Sequence, residues 1–125
     1  MIGFTILFCS LISSSFLEQS SPHPGHYPIM SRMLAVDFEV FGIVQGVFFR
    51  KYTQKRGKEL GLKGWCMNTS NGTVIGHLEG KKTQVEEMKQ WLRHTGSPHS
   101  RIDKAEFRNE KEISHPSFTN FEIRK

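Results

Sequence analysis

Residues 33–61 read MLAVDFEVFGIVQGVFFRKYTQKRGKELG, and the hydrophobic period changes once within them. Leu34, Val36, Phe38 and Val40 alternate with Asp37 and Glu39, the period of two that marks a strand with one buried face. A glycine-bracketed segment, Gly42 to Gly46, follows. Beyond it Phe49, Tyr52, Thr53, Arg56, Gly57 and Leu60 fall near one face of a helix, and Gly61 is placed to end it, with Leu62 as the apolar residue beyond a glycine cap. Strand, tight loop and helix in that order open a βαβ unit.

Toward the C-terminus, Lys63 to Met67 and Thr73 to Leu78 read as two short strands. The turn chemistry of Asn68, Thr69, Ser70, Asn71 and Gly72 between them predicts an antiparallel hairpin. Thr83 and Glu86 have the spacing of a capping box for a second helix, on which Val85, Met88 and Leu92 share a face, with Trp91 adjoining as a core residue. Gly96 and Pro98 stop it. Two further strands are predicted, Ile102 to Arg108 with Ala105 and Phe107 facing one way, and Phe118 to Arg124 with Phe121 and Ile123 facing one way. The order β α β β α β plus a short terminal strand predicts an α+β sandwich. Two helices cover one face of an antiparallel-rich sheet, the ferredoxin-like or split βαβ arrangement.

Toward the N-terminus the texture differs. An apolar run from Ile2 to Ile12 followed by Ser13, Ser14 and Ser15 looks like the core of a secretory signal peptide, but no Lys or Arg precedes it. It is also short and serine-rich for a membrane span. The stretch SSPHPGHYPIMSR holds three of the five prolines and reads as linker, which makes His23 and His26 solvated residues in preference to metal ligands. The expected division is therefore a variable extension at 1–32, with an upstream start before Met30 or Met33 as one reading, and a folded domain at 33–125.

With 125 residues, 37% of them hydrophobic, the chain is expected to form one domain around a modest core. The formal charge of +5 favours anionic partners. The basic residues Arg50, Lys51, Lys55, Arg56 and Lys58 are interrupted by polar and small residues and carry no stacking aromatics in the pattern of an RNA binder, so no nucleic-acid partner is expected. Of two cysteines, only Cys66 falls in the folded part, which excludes a disulfide framework there and fits a reducing compartment. Cys66 reads as a small buried hydrophobe, with sensitivity to oxidation as the alternative. His77, His94, His99 and His115 show no paired spacing with Cys, Asp or Glu of a zinc site, and no metal or cofactor is expected.

Gly42-Ile43-Val44-Gln45-Gly46-Val47-Phe48-Phe49-Arg50 joins the first strand to the first helix. Such a loop can turn successive N–H groups inward, and with the helix N-terminus and an arginine in the first turn it makes a concave anion site. By spacing alone an ordinary strand-to-helix turn explains it equally well, because no Walker lysine or GxGxxG is present.

The run GIVQGVFFR, Gly42 to Arg50, resembles the N-terminal signature of the acylphosphatase family. GWCMNTSNGTVIGHLEG, Gly64 to Gly80, resembles its second signature, in the expected order and spacing. GSPHSRID, Gly96 to Asp103, and the closing NFEIRK are similar to the animal muscle-type and common-type enzymes, so the resemblance covers Met33 to Lys125. It departs at Ile43, where many members carry a basic residue.

The resemblance implies hydrolysis of the carboxyl-phosphate bond of acyl phosphates, carbamoyl phosphate among them. Position by position it implies Arg50 as the phosphate-binding arginine and Asn68 as the residue that orients the attacking water. Gly42, Ile43, Val44, Gln45, Gly46, Val47, Phe48 and Phe49 become the phosphate loop, and Thr69 a residue bonded to that loop and fixing Asn68. The chemistry agrees with these roles. A carboxylate leaves readily without an acid, so the work is to hold the phosphoryl group, neutralise its oxygens and place a water in line.

Asn68-Thr69-Ser70 and Asn71-Gly72-Thr73 are both glycosylation sequons, and a glycan there would fall on or beside the water-orienting residue. With unpaired Cys66, this points to the cytoplasm, the alternative being secretion if residues 1–20 act as a signal peptide. A monomer acting on a small acyl phosphate, with no membrane association, is expected. The competing reading is a non-catalytic ferredoxin-like module that binds a protein or an anionic ligand, since this fold hosts many functions. An inert relative or a nucleic-acid-binding domain are further alternatives.

Overall fold

The computed structural model describes residues 32–125. The expectations for the signal-like run, Cys9, the proline-rich stretch, His23 and His26 lie outside the described residues.

Strand β1, Met33–Ile43, buries Leu34, Val36, Phe38 and Val40, the row that the alternation predicts. Helix α1, Phe49–Glu59, follows, then β2, Lys63–Asn68, and β3, Val74–Lys81. Helix α2, Lys82–His94, leads to β4, Arg101–Ile113, and β5, Phe121–Arg124. The sheet order is β4-β1-β3-β2-β5. All neighbours pair antiparallel except β2 with β5. Each helix therefore carries the chain over one intervening strand, and the predicted ferredoxin-like order is the one observed.

Packing explains why the strands lie in this order. Opposite Phe38 on β1 stands Gly76 on β3, where a Cβ would come within 2.4 Å of the Phe38 ring. The inward row of β3, Val74, Gly76, Leu78 and Gly80, thus alternates side chain with empty space, and Phe38 and Leu62 fill the gaps. Helix α1 buries a narrower stripe than its pattern predicts, namely Phe49, Thr53 and Gly57. Gly57 lets the helix settle onto Phe121 of β5, and the Thr53 hydroxyl donates to the Phe49 carbonyl at 2.8 Å. Helix α2 contributes Val85, Met88 and Leu92 to the same core, with Trp91 packed against it.

The structure corrects three local readings. Thr83 and Glu86 do not form a capping box: β3 runs directly into α2, the N-cap is Lys81, and the Lys82 N–H donates to the Arg32 carbonyl at 3.1 Å. The Thr83 hydroxyl turns to the Gln84 side chain instead. Strand β4 extends well past Arg108. A bulge shifts its register between Lys111 opposite Ala35 and Arg108 opposite Asp37, with Asn109 at φ 58 and its amide donating to Asp37. The last strand is shorter than predicted, and Ile123 is exposed while Phe121 is buried.

On the open face of the sheet His77 bridges two carboxylates, with Nδ1 2.6 Å from Asp37 and Nε2 2.8 Å from Glu79. Glu79 also accepts from the Ser117 N–H at 2.6 Å, tying the loop before β5 to the sheet. Burial pushes both carboxyls up, but hydrogen bonds outweigh it, from His77 and Asn109 for Asp37 and from His77 and Ser117 for Glu79, and both sit below the ordinary value. A carboxyl depressed in the folded state contributes stability above its unfolded pKa and loses it as pH falls through the folded one. The urea midpoint is therefore expected to hold above about pH 5 and to fall progressively below it. Glu79→Gln should remove part of that fall; an unchanged pH dependence would place the acid sensitivity elsewhere.

Candidate active site

The segment between β1 and α1 is held by alternate residues. Val44 is buried, Val47 packs against the core, and Phe49 is buried with its ring 5.8 Å from that of Trp91. Between these anchors Gly46 and Phe48 face outward, both with left-handed backbone, at φ 77 and φ 61. A phenylalanine in that region costs about 1–3 kcal/mol and persists only where its surroundings impose it. Phe48 is the N-cap of α1 and is 69% exposed.

This winding leaves the backbone N–H groups of Val44 through Phe48 without a hydrogen-bond acceptor among the described residues. The first turn of α1 carries no acidic residue and no side-chain cap, so its N–H groups are open as well. Alternating left-handed residues that turn N–H groups inward at a helix N-terminus make a concavity suited to an anion.

Gly42 and Ile43 precede the open N–H groups. β1 continues through Ile43, its last residue, whose side chain is exposed. Gly42 has φ 134, and a Cβ there would sit 2.1 Å from the Arg101 carbonyl oxygen, at the point where the β1–β4 register slips. This glycine admits the neighbouring backbone and so aims the loop that follows.

Arg50 is the second residue of α1, half-buried, and pairs with no carboxylate among the described residues. Its carbonyl faces the Cys66 thiol at 3.8 Å, which sets the first turn of α1 against β2 two residues before Asn68. Burial pushes that thiol up to about 12, and the Arg50 charge lowers it only in part. Cys66 is thus a buried, protonated core residue and a poor nucleophile. Asn68 ends β2, and its side-chain Oδ1 is buried with no hydrogen-bond partner among the described residues.

Thr69 is bonded to the loop through its backbone carbonyl. The Gln45 side chain, and not the Thr69 hydroxyl, spans the gap: its Nε2 donates to the carbonyls of Thr69 and Thr73, both at 2.9 Å. The Thr69 hydroxyl faces its own turn, 2.7 Å from the Thr73 hydroxyl, and accepts from the N–H groups of Asn71 and Thr73. Thr73 in turn donates to Glu39 at 2.7 Å. That bond, with one from Arg108, holds the Glu39 carboxyl below its ordinary value. Thr73 and Glu39 were not legible as part of the site, because only the pairing of β1 with β3 brings them there.

Gln45 is therefore a positioning residue. Gln45→Ala is expected to lower kcat/KM about tenfold, the worth of one to two hydrogen bonds. Gln45→Glu, an acceptor facing two carbonyls when ionised, should be worse. Parent-like turnover in both would show that the strut is dispensable.

Among the described residues no group of three or more His, Cys, Asp or Glu side chains is placed to hold a metal ion. What the arrangement can do is bind an anion at open N–H groups and an arginine, next to a strand end bearing an unsatisfied acceptor.

The acylphosphatase family model matches residues 36–123. The chain is 58% identical over 93 residues to acylphosphatase-1 of Gallus gallus, covering 74% of this chain and 94% of that protein. It is 54% identical over 91 residues to acylphosphatase-1 of Homo sapiens, covering 73% and 92%. Among solved structures, the acylphosphatase from Bacillus subtilis aligns with a TM-score of 0.68 at 28% identity, over 74% of this chain and 99% of that one.

Proposed function

The chain belongs to the acylphosphatase family and hydrolyses acyl phosphates, and on that premise we propose that Arg50, the loop amides and Asn68 divide the chemistry. The substrate phosphoryl group sits in the concavity, its oxygens taken by the N–H groups of Val44 through Phe48, the first turn of α1 and the Arg50 guanidinium. Asn68 Oδ1 accepts a hydrogen bond from a water placed behind phosphorus, in line with the carboxylate leaving group. An amide is no general base, so the water's proton passes to a phosphate oxygen of the substrate. The carboxylate leaves as a weak base and needs no acid.

The observation that carries this reading is the buried, unpartnered Oδ1 of Asn68. Left without a hydrogen bond, such an acceptor costs about 1–3 kcal/mol, and a bound water gives it the partner it lacks. No observation favours a non-catalytic binding module. The test is hydrolysis of benzoyl phosphate by the full chain in EDTA across pH. Undiminished turnover with no basic-limb dependence near neutrality is expected; loss of activity in EDTA, or a steep rise near neutrality, would overturn the metal-free, base-free scheme.

We infer a cytoplasmic site of action, supported by half-buried Asn68 standing in a sequon and by the unpaired thiol of Cys66. Among the described residues no helix is long and apolar enough to cross a membrane. Full-length protein recovered from the medium and processed near Ser15 would overturn the inference. The monomeric state is supported by how few large hydrophobics are exposed among the described residues: Ile43, Phe48, Tyr52 and Ile123. The absence of a nucleic-acid partner is supported by the pairing of Lys55 and Arg56 with Glu59 and Glu87. Gel filtration, and binding to an oligonucleotide as salt is raised, test these two.

A further inference from the structure

Between α1 and the segment that follows α2 lies a cavity of about 400 Å³, large enough for a small organic molecule. None of the residues Val44 through Arg50, nor Asn68, lines it. Its walls include Tyr52 and Trp91, and two polar atoms of lining residues, Arg56 Nε and Ser97 Oγ, are buried without a hydrogen-bond partner among the described residues.

Both atoms are held in place. Ser97 is 2% exposed, and its carbonyl accepts from the Ser100 N–H at 3.0 Å and the Ser100 hydroxyl at 2.7 Å, which fixes the turn. The terminal nitrogens of Arg56 are engaged by Glu59 at 3.3 Å and Glu87 at 2.8 Å, so the guanidinium plane is set while its buried Nε has no acceptor among the described residues. An arginine Nε can only donate and a serine hydroxyl can donate too, so the pair requires an acceptor. Lys55 and Arg56 are already offset by Glu59 and Glu87, which leaves no surplus charge for a phosphate dianion. A carboxylate supplies two acceptor oxygens, one for each donor, and the two aromatic walls suit a flat apolar body.

We propose that this cavity binds a small aromatic monocarboxylate, its carboxylate on Arg56 Nε and Ser97 Oγ and its ring against Trp91 and Tyr52. Benzoate is the probe, titrated into the isotope-labelled full chain while the Trp91 indole and the amides of residues 95–97 are followed by NMR. Saturable shifts at these groups are expected with benzoate and not with inorganic phosphate. Ser97→Ala should fold and melt as the parent does, since its hydroxyl has no partner to lose, and should weaken benzoate about tenfold. Arg56→Lys, which presents no Nε, should weaken it at least as much. No saturable shift, shifts confined to Val44 through Arg50 and Asn68, or affinity unchanged in both variants would each overturn the proposal.

Discussion

Replacing Asn68 with alanine is expected to leave the fold intact and to lower kcat about a thousandfold, with KM changed by no more than about threefold. The asymmetry follows from its surroundings. Asn68 Oδ1 gives up no hydrogen bond within the described protein when it is removed, because it has none there. On the proposed assignment the buried acceptor that orients the water is lost, while the amides and Arg50 that hold the phosphate remain. Kinetics with benzoyl phosphate, alongside circular dichroism and a melting curve, would check this. A variant that keeps more than about a tenth of the parent turnover would mean that Asn68 does not place the water.

Arg50→Gln is expected to act on binding and chemistry together. A guanidinium offers a fixed fork to phosphoryl oxygens and carries the charge that offsets theirs, and glutamine supplies neither. The expected loss is about a thousandfold in kcat/KM, with weaker inhibition by inorganic phosphate. Arg50→Lys should recover part of the phosphate affinity but less of the turnover, because a point charge lacks the fork. The fold should tolerate both changes, since among the described residues Arg50 pairs with no carboxylate and its contact with Cys66 runs through its backbone carbonyl. Equal activity of the lysine variant and the parent would reduce the role of Arg50 to charge alone.

The positions of the two substitutions were legible in the same way. Arg50 and Asn68 stand in signatures whose order along the chain could be read directly, and the structure sets the first turn of α1 beside β2, which ends at Asn68. Gln45 stands in the same signature, but its residue type says nothing of a bond to carbonyls 24 and 28 positions away. Thr69 meets the loop through its carbonyl, while its hydroxyl is taken by Thr73 of its own turn. Short-range competition of this kind is invisible until the turn is closed.

What the sequence by itself determined was the set of elements and their order. The alternation of Leu34, Val36, Phe38 and Val40 and the helical spacing of Val85, Met88 and Leu92 are properties of local periodicity, and burial rewards each of them separately. What only the tertiary structure decided depends on contacts between distant backbones. Gly42 is a strand residue because the Arg101 carbonyl leaves no room for a Cβ. β4 continues past Arg108 because a bulge at Asn109 and Glu110 lets Lys111 to Ile113 keep pairing with β1. The capping box fails because β3 and α2 share no linker. In the first two cases the deciding partner is far away in sequence, and its position becomes defined only when the sheet is assembled.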